Sequence, residues 1–188
     1  MACSDVALEV EPADTSGGLD PDAGDDGGLE ELPIWFEVMA GYDWDAEWEP
    51  LEDGGPLYLE LGPQGLLMFS LSVHAGGFPL PEDPKDPENP ELPLADITID
   101  TGVADLDVNY GHFFQALDYP LIFDVEPDGE TYSYYWITVF PPDETLGDLS
   151  VMHGVEGSVE VTLRPHGVVP LTHTWDVVLD TESRVELP

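Results

Sequence analysis

The chain has 188 residues, of which 41 are acidic and 3 basic, so its formal net charge is −38. Direct nucleic-acid binding is excluded, because such a protein neutralises phosphates with Lys and Arg. Gly and Pro, with 19 residues each, disfavour long helices. No run approaches the ~18 consecutive apolar residues of a membrane-spanning helix. Hydrophobic residues still make up 42% of the chain, which is enough for one packed core.

The first 32 residues differ in composition from the rest of the chain. They contain ten acidic residues, no basic residue and no aromatic residue. Such a segment cannot bury enough apolar surface to offset the entropy lost on ordering. We therefore predict a disordered acidic tether over 1–32, followed by one folded domain over 33–188.

Cys3 is the only cysteine of the chain, and it lies at the start of the predicted tether. Bacterial lipoproteins carry an acylated cysteine at the mature N-terminus, usually followed by a polar linker, and Ala2-Cys3-Ser4 matches that layout. This interpretation requires that Met1 replaces a removed signal peptide. It predicts an extracytoplasmic, monomeric lipoprotein, anchored at an outer membrane or cell surface through acyl chains on Cys3. The alternative is a cytosolic start at which the cysteine is incidental.

The remainder of the chain shows short segments in which apolar and polar residues alternate. Alternation with a period of two, interrupted by Gly, Pro and Asp, predicts an antiparallel β-sandwich of the immunoglobulin or fibronectin type with eight or nine strands. The only helix candidate, 111–117, is too short to exceed a turn. The predicted strands cover 34–39, 57–61, 67–74, 96–100, 105–109, 121–125, 131–140, 158–164 and 173–179.

Five prolines recur at every third position in the segment 79–93, from Pro81 to Pro93. This spacing equals the three residues per turn of polyproline II. It indicates either a stiff surface loop between two strands or a ligand for a proline-recognition domain.

Two turn motifs resemble those of uncharacterised acidic lipoprotein domains from Gram-negative soil bacteria. The motifs are the segment PLEDG at 50–54 and the turn GPQG at 62–65, and the aromatic run 136–141 is also similar. The resemblance extends over roughly 33–180 and implies a β-sandwich without catalytic residues. After the turn that family often has another glycine and then an aromatic residue or His, whereas this chain has Leu66-Leu67-Met68.

Sequence signals for catalysis are missing, and we predict that the protein is not an enzyme and has no required cofactor. There is no G-x-S-x-G elbow and no Gly-rich phosphate loop. Calcium is the one metal that the acids favour, because it takes six to eight oxygen ligands. Asp43, Asp45 and Glu47 occupy alternate positions and form the calcium candidate. The alternative, a solvated acidic loop, is favoured because such clusters arise readily by chance in a chain with 41 acidic residues.

Aromatic residues suggest a binding surface for a glycan or a protein. Trp44 and Trp48 are predicted to be exposed in an acidic loop. Alternation over 131–140 places one set of side chains on one face, Tyr132, Tyr134, Trp136 and Phe140. It places Tyr135, Ile137 and Val139 on the other. Such a strand is either buried on both sides or exposes an aromatic row that stacks on sugar rings.

Taken together, the sequence predicts a non-enzymatic extracytoplasmic lipoprotein whose β-sandwich has an interaction or structural role. One alternative is a carbohydrate- or calcium-binding module. Another is an acidic decoy that imitates duplex DNA and captures a basic protein, which the charge of −38 favours.

Overall fold

The structure, a computed structural model, describes residues 33–41, 49–62 and 64–183. The described part is all-β, with two three-residue 3-10 turns at Asp143–Thr145 and Leu149–Val151. None of its residues lies in a helix long and apolar enough to cross a bilayer. The strands are β1 (Trp35–Ala40), β2 (Glu49–Pro50), β3 (Gly55–Leu61), β4 (Leu67–Gly76), β5 (Leu94–Asp100), β6 (Phe114–Pro120), β7 (Asp124–Val125), β8 (Thr131–Val139), β9 (Glu156–Arg164) and β10 (Leu171–Asp180).

All ten strands belong to one curled sheet, and β3 connects its two halves. The second part of β3 pairs with β4, which also pairs with β1 and β8. The first part of β3 pairs with β10, and the sheet continues through β9 and β5 to β6. β3 is therefore the strand at which one half of the sheet continues into the other.

The sheet is mixed, so the predicted purely antiparallel arrangement is wrong. β3 and β10 run parallel, with Gly55 opposite Val177 and Leu57 opposite Leu179. Alternation reports which face of a strand is buried and carries no information on the direction of its neighbour. The described part also has ten strands instead of eight or nine. β2 has only two residues, too few to show alternation, and β6 lies where the helix candidate was placed. The predicted strand at 121–125 is reduced to the two residues of β7.

Two local predictions also fail, in neighbouring segments. The predicted strand at 105–109 is a turn, in which Asp107 accepts hydrogen bonds from the backbone N–H groups of Thr101 (3.0 Å) and Gly102 (2.8 Å). The helix candidate at 111–117 overlaps β6, which begins at Phe114. At 105–109 local turn hydrogen bonds replace the predicted strand, whereas β6 forms because it pairs with β5.

The segment 79–93 does not form polyproline II, which has no internal hydrogen bonds. Its backbone makes successive i to i+3 bonds, with the N–H of Asn89 donating to the C=O of Asp86 (3.1 Å) and that of Leu92 to Asn89 (3.2 Å). Side-chain oxygens of Asp86 and Asn89 also accept bonds from backbone N–H groups two residues on. The residues before Pro84, Pro87 and Pro90 are the turn formers Asp83, Asp86 and Asn89, which explains the period of three across that stretch.

One hydrophobic cluster draws on both halves of the sheet. From β4 it takes Phe69, Leu71 and Val73, which are fully buried, as the alternation predicts. The ring of Phe36 on β1 lies 4.6 Å from that of His173 on β10, measured between centroids. The cluster thus takes side chains from both halves, and on β4 these side chains point away from the face that carries Ser70 and Ser72.

Candidate functional site

The outer face of β4, opposite the core, carries Met68, Ser70, Ser72 and His74. β8 lies beside it, with Ser133 opposite His74 and Thr138 opposite Ser70. This outer face is the part of the described molecule in which an aromatic surface, a cavity and unpartnered polar atoms occur together. It is therefore the candidate functional site.

A bulge in β8 determines which aromatic side chains reach the outer face. The register with β4 shifts between Leu71 and Val73, and Trp136 has φ of +71°. A β-bulge inserts an extra residue, so the side chains beyond it change face. Trp136 is consequently 38% exposed while its neighbour Ile137 is 1% exposed.

The predicted division of the aromatic strand between two faces is therefore wrong. Before the bulge, Tyr132 and Tyr134 pack against the core, and after it Ile137 and Val139 do so. Tyr135 shares the outer face with Trp136. The left-handed backbone costs a bulky residue about 1–2 kcal/mol, and strain of this kind clusters at binding sites and active sites.

A cavity of 220 Å³, which we call the slot, opens beside the bulge. Trp136, Thr138 and Phe140 form one side of the slot, and Met68 contributes from β4. Phe140 is 52% exposed. The slot therefore combines an aromatic side with a hydroxyl group.

The GPQG turn forms the other side of the slot, through Gly62, Gln64 and the following Leu66. The N–H of Gly62 donates to the C=O of Leu66 (2.8 Å), which closes the turn. A Cβ atom on Gly62 would lie 2.7 Å from Cε of Met68, so a larger residue there would displace the Met68 side chain. A motif that sequence reasoning treated as a turn thus lines the cavity.

Three buried polar groups, which we call the polar row, continue along β4 from the slot. They are Ser70 Oγ, Ser72 Oγ and His74 Nε2, and none has a hydrogen-bond partner among the described residues. Leaving a buried polar group unsatisfied costs about 1–3 kcal/mol. Ser70 lies directly opposite Thr138, a lining residue of the slot, and cross-strand partners on one face have Cβ atoms about 5 Å apart. The polar row therefore begins at the inner edge of the slot.

Tyr135, a predicted binding residue, lies on the outer face but its hydroxyl is engaged. It donates to Oε1 of Glu126 (3.1 Å), which also accepts a hydrogen bond from Ser133 Oγ (2.5 Å). Its ring stands edge-on to that of His74, with centroids 6.2 Å apart. Burial raises the pKa of Tyr135 above its ordinary value. Tyr135 therefore has a structural role on the outer face, through its contacts with Glu126 and His74.

The slot is uncharged, in a chain with 41 acidic residues. Among the described residues that line it there is no Asp, Glu, Lys, Arg or His. Glu60, opposite Met68 on the neighbouring strand, is buried at 4% exposure and is not part of the lining. The slot is therefore built for a neutral group.

A larger cavity of 640 Å³ lies at the ends of β5, β9 and β10, and it is acidic. Asp100, Glu156 and Asp176 line it, together with several backbone segments. The described part of the chain contains no cluster of three or more His, Cys, Asp or Glu side chains arranged to hold a metal ion. This cavity has no feature besides its carboxylates that points to a ligand.

The other predicted site residues lie outside the described part of the chain. They are the lipidation candidate Cys3, the calcium candidates Asp43, Asp45 and Glu47, and the aromatic candidates Trp44 and Trp48. Sequence reasoning missed Gln64 and Met68 as site residues, and it included Phe140 only as a member of the predicted aromatic row. Nothing in the local sequence marks Met68.

Compared with known proteins, the chain matches no family model, no curated protein and no solved structure.

Proposed function

We propose that the protein is a non-enzymatic binding module of an extracytoplasmic surface, held to the membrane by acyl chains on Cys3, and that it binds its partner through the slot. The observation that carries the proposal is the bulge in β8, which holds Trp136 on the outer face at an energetic cost. A strained aromatic residue beside a cavity favours recognition, because packing alone would place it in the core. The segment 1–32 would serve as the tether, and its acids would hold the domain away from anionic head groups.

The binding face is tested by co-sedimentation of the full-length chain with washed cell envelopes from its native cells. We expect the bound fraction to fall at least fivefold for Phe140→Ser, since this change removes an exposed wall of the slot. Tyr110→Ser is the matched control, because Tyr110 is an aromatic residue 97% exposed outside the slot. Equal binding by both variants and the parent chain would show that another surface binds.

The membrane anchor is tested separately, by the intact mass of the N-terminal peptide from native cells. Acylation predicts a Cys3 peptide that carries lipid, and a Cys3→Ser variant that moves from the detergent phase to the aqueous phase. A peptide beginning at Met1 or Ala2 without lipid would refute the anchor while leaving the binding face untouched.

For the fold, we infer that the two halves of the sheet face each other as a sandwich of the immunoglobulin type. The contact of Phe36 on β1 with His173 and Trp175 on β10 supports this inference. The sheet change of β3 also supports it, since strands that switch sheets form the corners of sandwiches. Residual dipolar couplings that define the angle between β4 and β9 would test it, and strands of the two halves far from ~30° would contradict it.

A further inference from the structure

We propose that the slot binds one uncharged sugar ring, a neutral hexopyranose unit of a glycan. This inference rests on the proposed function and names its ligand class. It uses four properties of the site: size, aromatic sides, polar groups and charge.

The size of the slot suits a single ring. Its volume of 220 Å³ is roughly seven times the ~30 Å³ share of one water molecule. Cavities for drug-sized ligands begin near 300 Å³. A single pyranose therefore fits, and an extended chain would have to continue outside the slot.

The lining presents both apolar and polar groups, as a pyranose does. Trp136 and Phe140 contribute aromatic rings to the lining, and aromatic rings attract the C–H groups of a sugar because the ring face carries negative charge density. Thr138 and Gln64 offer a hydroxyl and an amide for the sugar hydroxyls. The unpartnered Ser70 Oγ lies at the inner edge, next to Thr138.

An apolar peptide side chain suits the slot less well than a sugar does. It would cover the aromatic side but leave the half-buried hydroxyl of Thr138 without a partner, at the usual cost of burying an unsatisfied polar group. The exposed amide of Gln64 would likewise gain no partner from an apolar group. A ring with hydroxyls around its edge satisfies both kinds of group.

Charge decides between neutral and acidic sugars. The described lining contains no cation to pair with a carboxylate or phosphate, and the net charge of −38 repels anions at a distance. A uronic acid should therefore bind more weakly than the neutral sugar of the same stereochemistry.

The inference is tested by titrating the full-length ¹⁵N-labelled chain with methyl glycosides of glucose, galactose and mannose, and with methyl glucuronide. We expect at least one neutral glycoside to shift the Gln64 side-chain amide and the Trp136 indole saturably, with Kd on the order of 1 mM. Methyl glucuronide should bind at least tenfold more weakly than methyl glucoside does, or not at all.

Variants identify the site. Phe140→Ala should weaken binding at least tenfold. Thr138→Val, which keeps the shape of the side chain but removes its hydroxyl, should weaken it about fivefold. Tyr110→Ala is the control and should bind like the parent chain. Unchanged spectra away from the slot would show that each variant is folded.

Two results would overturn the inference, and they differ in what they mean for the proposed function. If no neutral glycoside shifts the slot resonances and N-acetyl-leucine amide does, the slot binds an apolar peptide side chain. If neither probe binds, but protease treatment of the envelopes abolishes co-sedimentation and periodate does not, the partner is a protein. In both cases the proposal of a sugar ligand fails, whereas the proposal that the protein is a binding module is retained.

Discussion

The left-handed backbone at Trp136 predicts a reversal in the effect of glycine over two residues of one strand. Trp136 has φ of +71°, whereas Thr138, on the same face of β8, is not among the residues with positive φ. We would replace each of the two residues by alanine and, separately, by glycine. Within each pair the same side chain is lost, so the burial and contacts of Trp136 and Thr138 cancel in the comparison.

The magnitude follows from two opposing terms. A left-handed conformation costs an L-residue with a Cβ about 1–2 kcal/mol. Glycine avoids that cost but loses about 0.5–1 kcal/mol more conformational entropy than alanine on folding. Trp136→Gly should therefore be more stable than Trp136→Ala by about 0.7 kcal/mol. Thr138→Gly should be less stable than Thr138→Ala by a similar amount.

The quantity to measure is the difference between the two pairs, because the entropy term then cancels. What remains is the left-handed cost itself, about 1–2 kcal/mol. Urea unfolding followed by circular dichroism gives each free energy of unfolding, provided that the four variants share one m value. A difference near zero would mean that Trp136 is not left-handed, and our account of the outer face would fail with it.

Three further predictions concern stability away from the slot. Gly77→Ala should cost about 3 kcal/mol or more in a thermal melt, because its Cβ would lie 2.4 Å from a backbone oxygen at φ of +81°. Gly129→Ala, with φ of +75° and open space, should cost only about 1 kcal/mol, and equal losses would contradict this reasoning. Arg164→Gln should cost about 1 kcal/mol in low salt, since the guanidinium joins two partly exposed carboxylates at 2.7 and 2.5 Å; a loss that did not shrink with added NaCl would argue against an ionic origin. Burial raises the pKa of Tyr134 above the ordinary value of 10.0, so its contribution to stability is present below pH 10 and is lost as the pH rises beyond it. Tyr134→Phe should flatten the alkaline decline in urea melts, Tyr110→Phe should not, and identical curves for both would refute the assignment.

Sequence patterns predicted the all-β class and the inward face of β4. Along that strand Phe69, Leu71 and Val73 alternate with Ser70 and Ser72 without interruption, and the apolar side chains join the core as the alternation predicts. The two serines are also buried, at 0% exposure, so the alternation predicted the direction of the side chains but wrongly predicted a solvated opposite face. The alternation predicts the inward face of β4 correctly because this strand carries no extra residue, so its side chains alternate between the two faces along its whole length.

The same reasoning failed at β8, where the alternation is broken between Tyr134 and Ile137. Both faces of this strand carry aromatic residues, so a shift by one residue leaves a pattern that is equally plausible in sequence. Whether Trp136 faces the core or the solvent therefore depends on the bulge, and a tryptophan is not a residue from which a left-handed backbone is expected.

The slot itself depends on contacts between distant parts of the chain. Gln64 belongs to the turn that precedes β4, whereas Phe140 follows β8, and the pairing of the two strands brings them together. No local spacing encodes that proximity. The GPQG motif marked a turn, and the cavity beside it became visible only with the sheet.

The parallel pairing of β3 with β10 also constrains when the chain can fold. Gly55 and Val177 are neighbours in the sheet although about 120 residues separate them, and long-range pairings of this kind form late and slowly. During synthesis, β3 has no β10 to pair with until the last described residues have left the ribosome or a translocation pore. Until then the edge of β3 and part of the core remain open to solvent. A chain that ends before Leu171 would keep those edges exposed and aggregate. The sheet is therefore complete only when β10 has paired with β3.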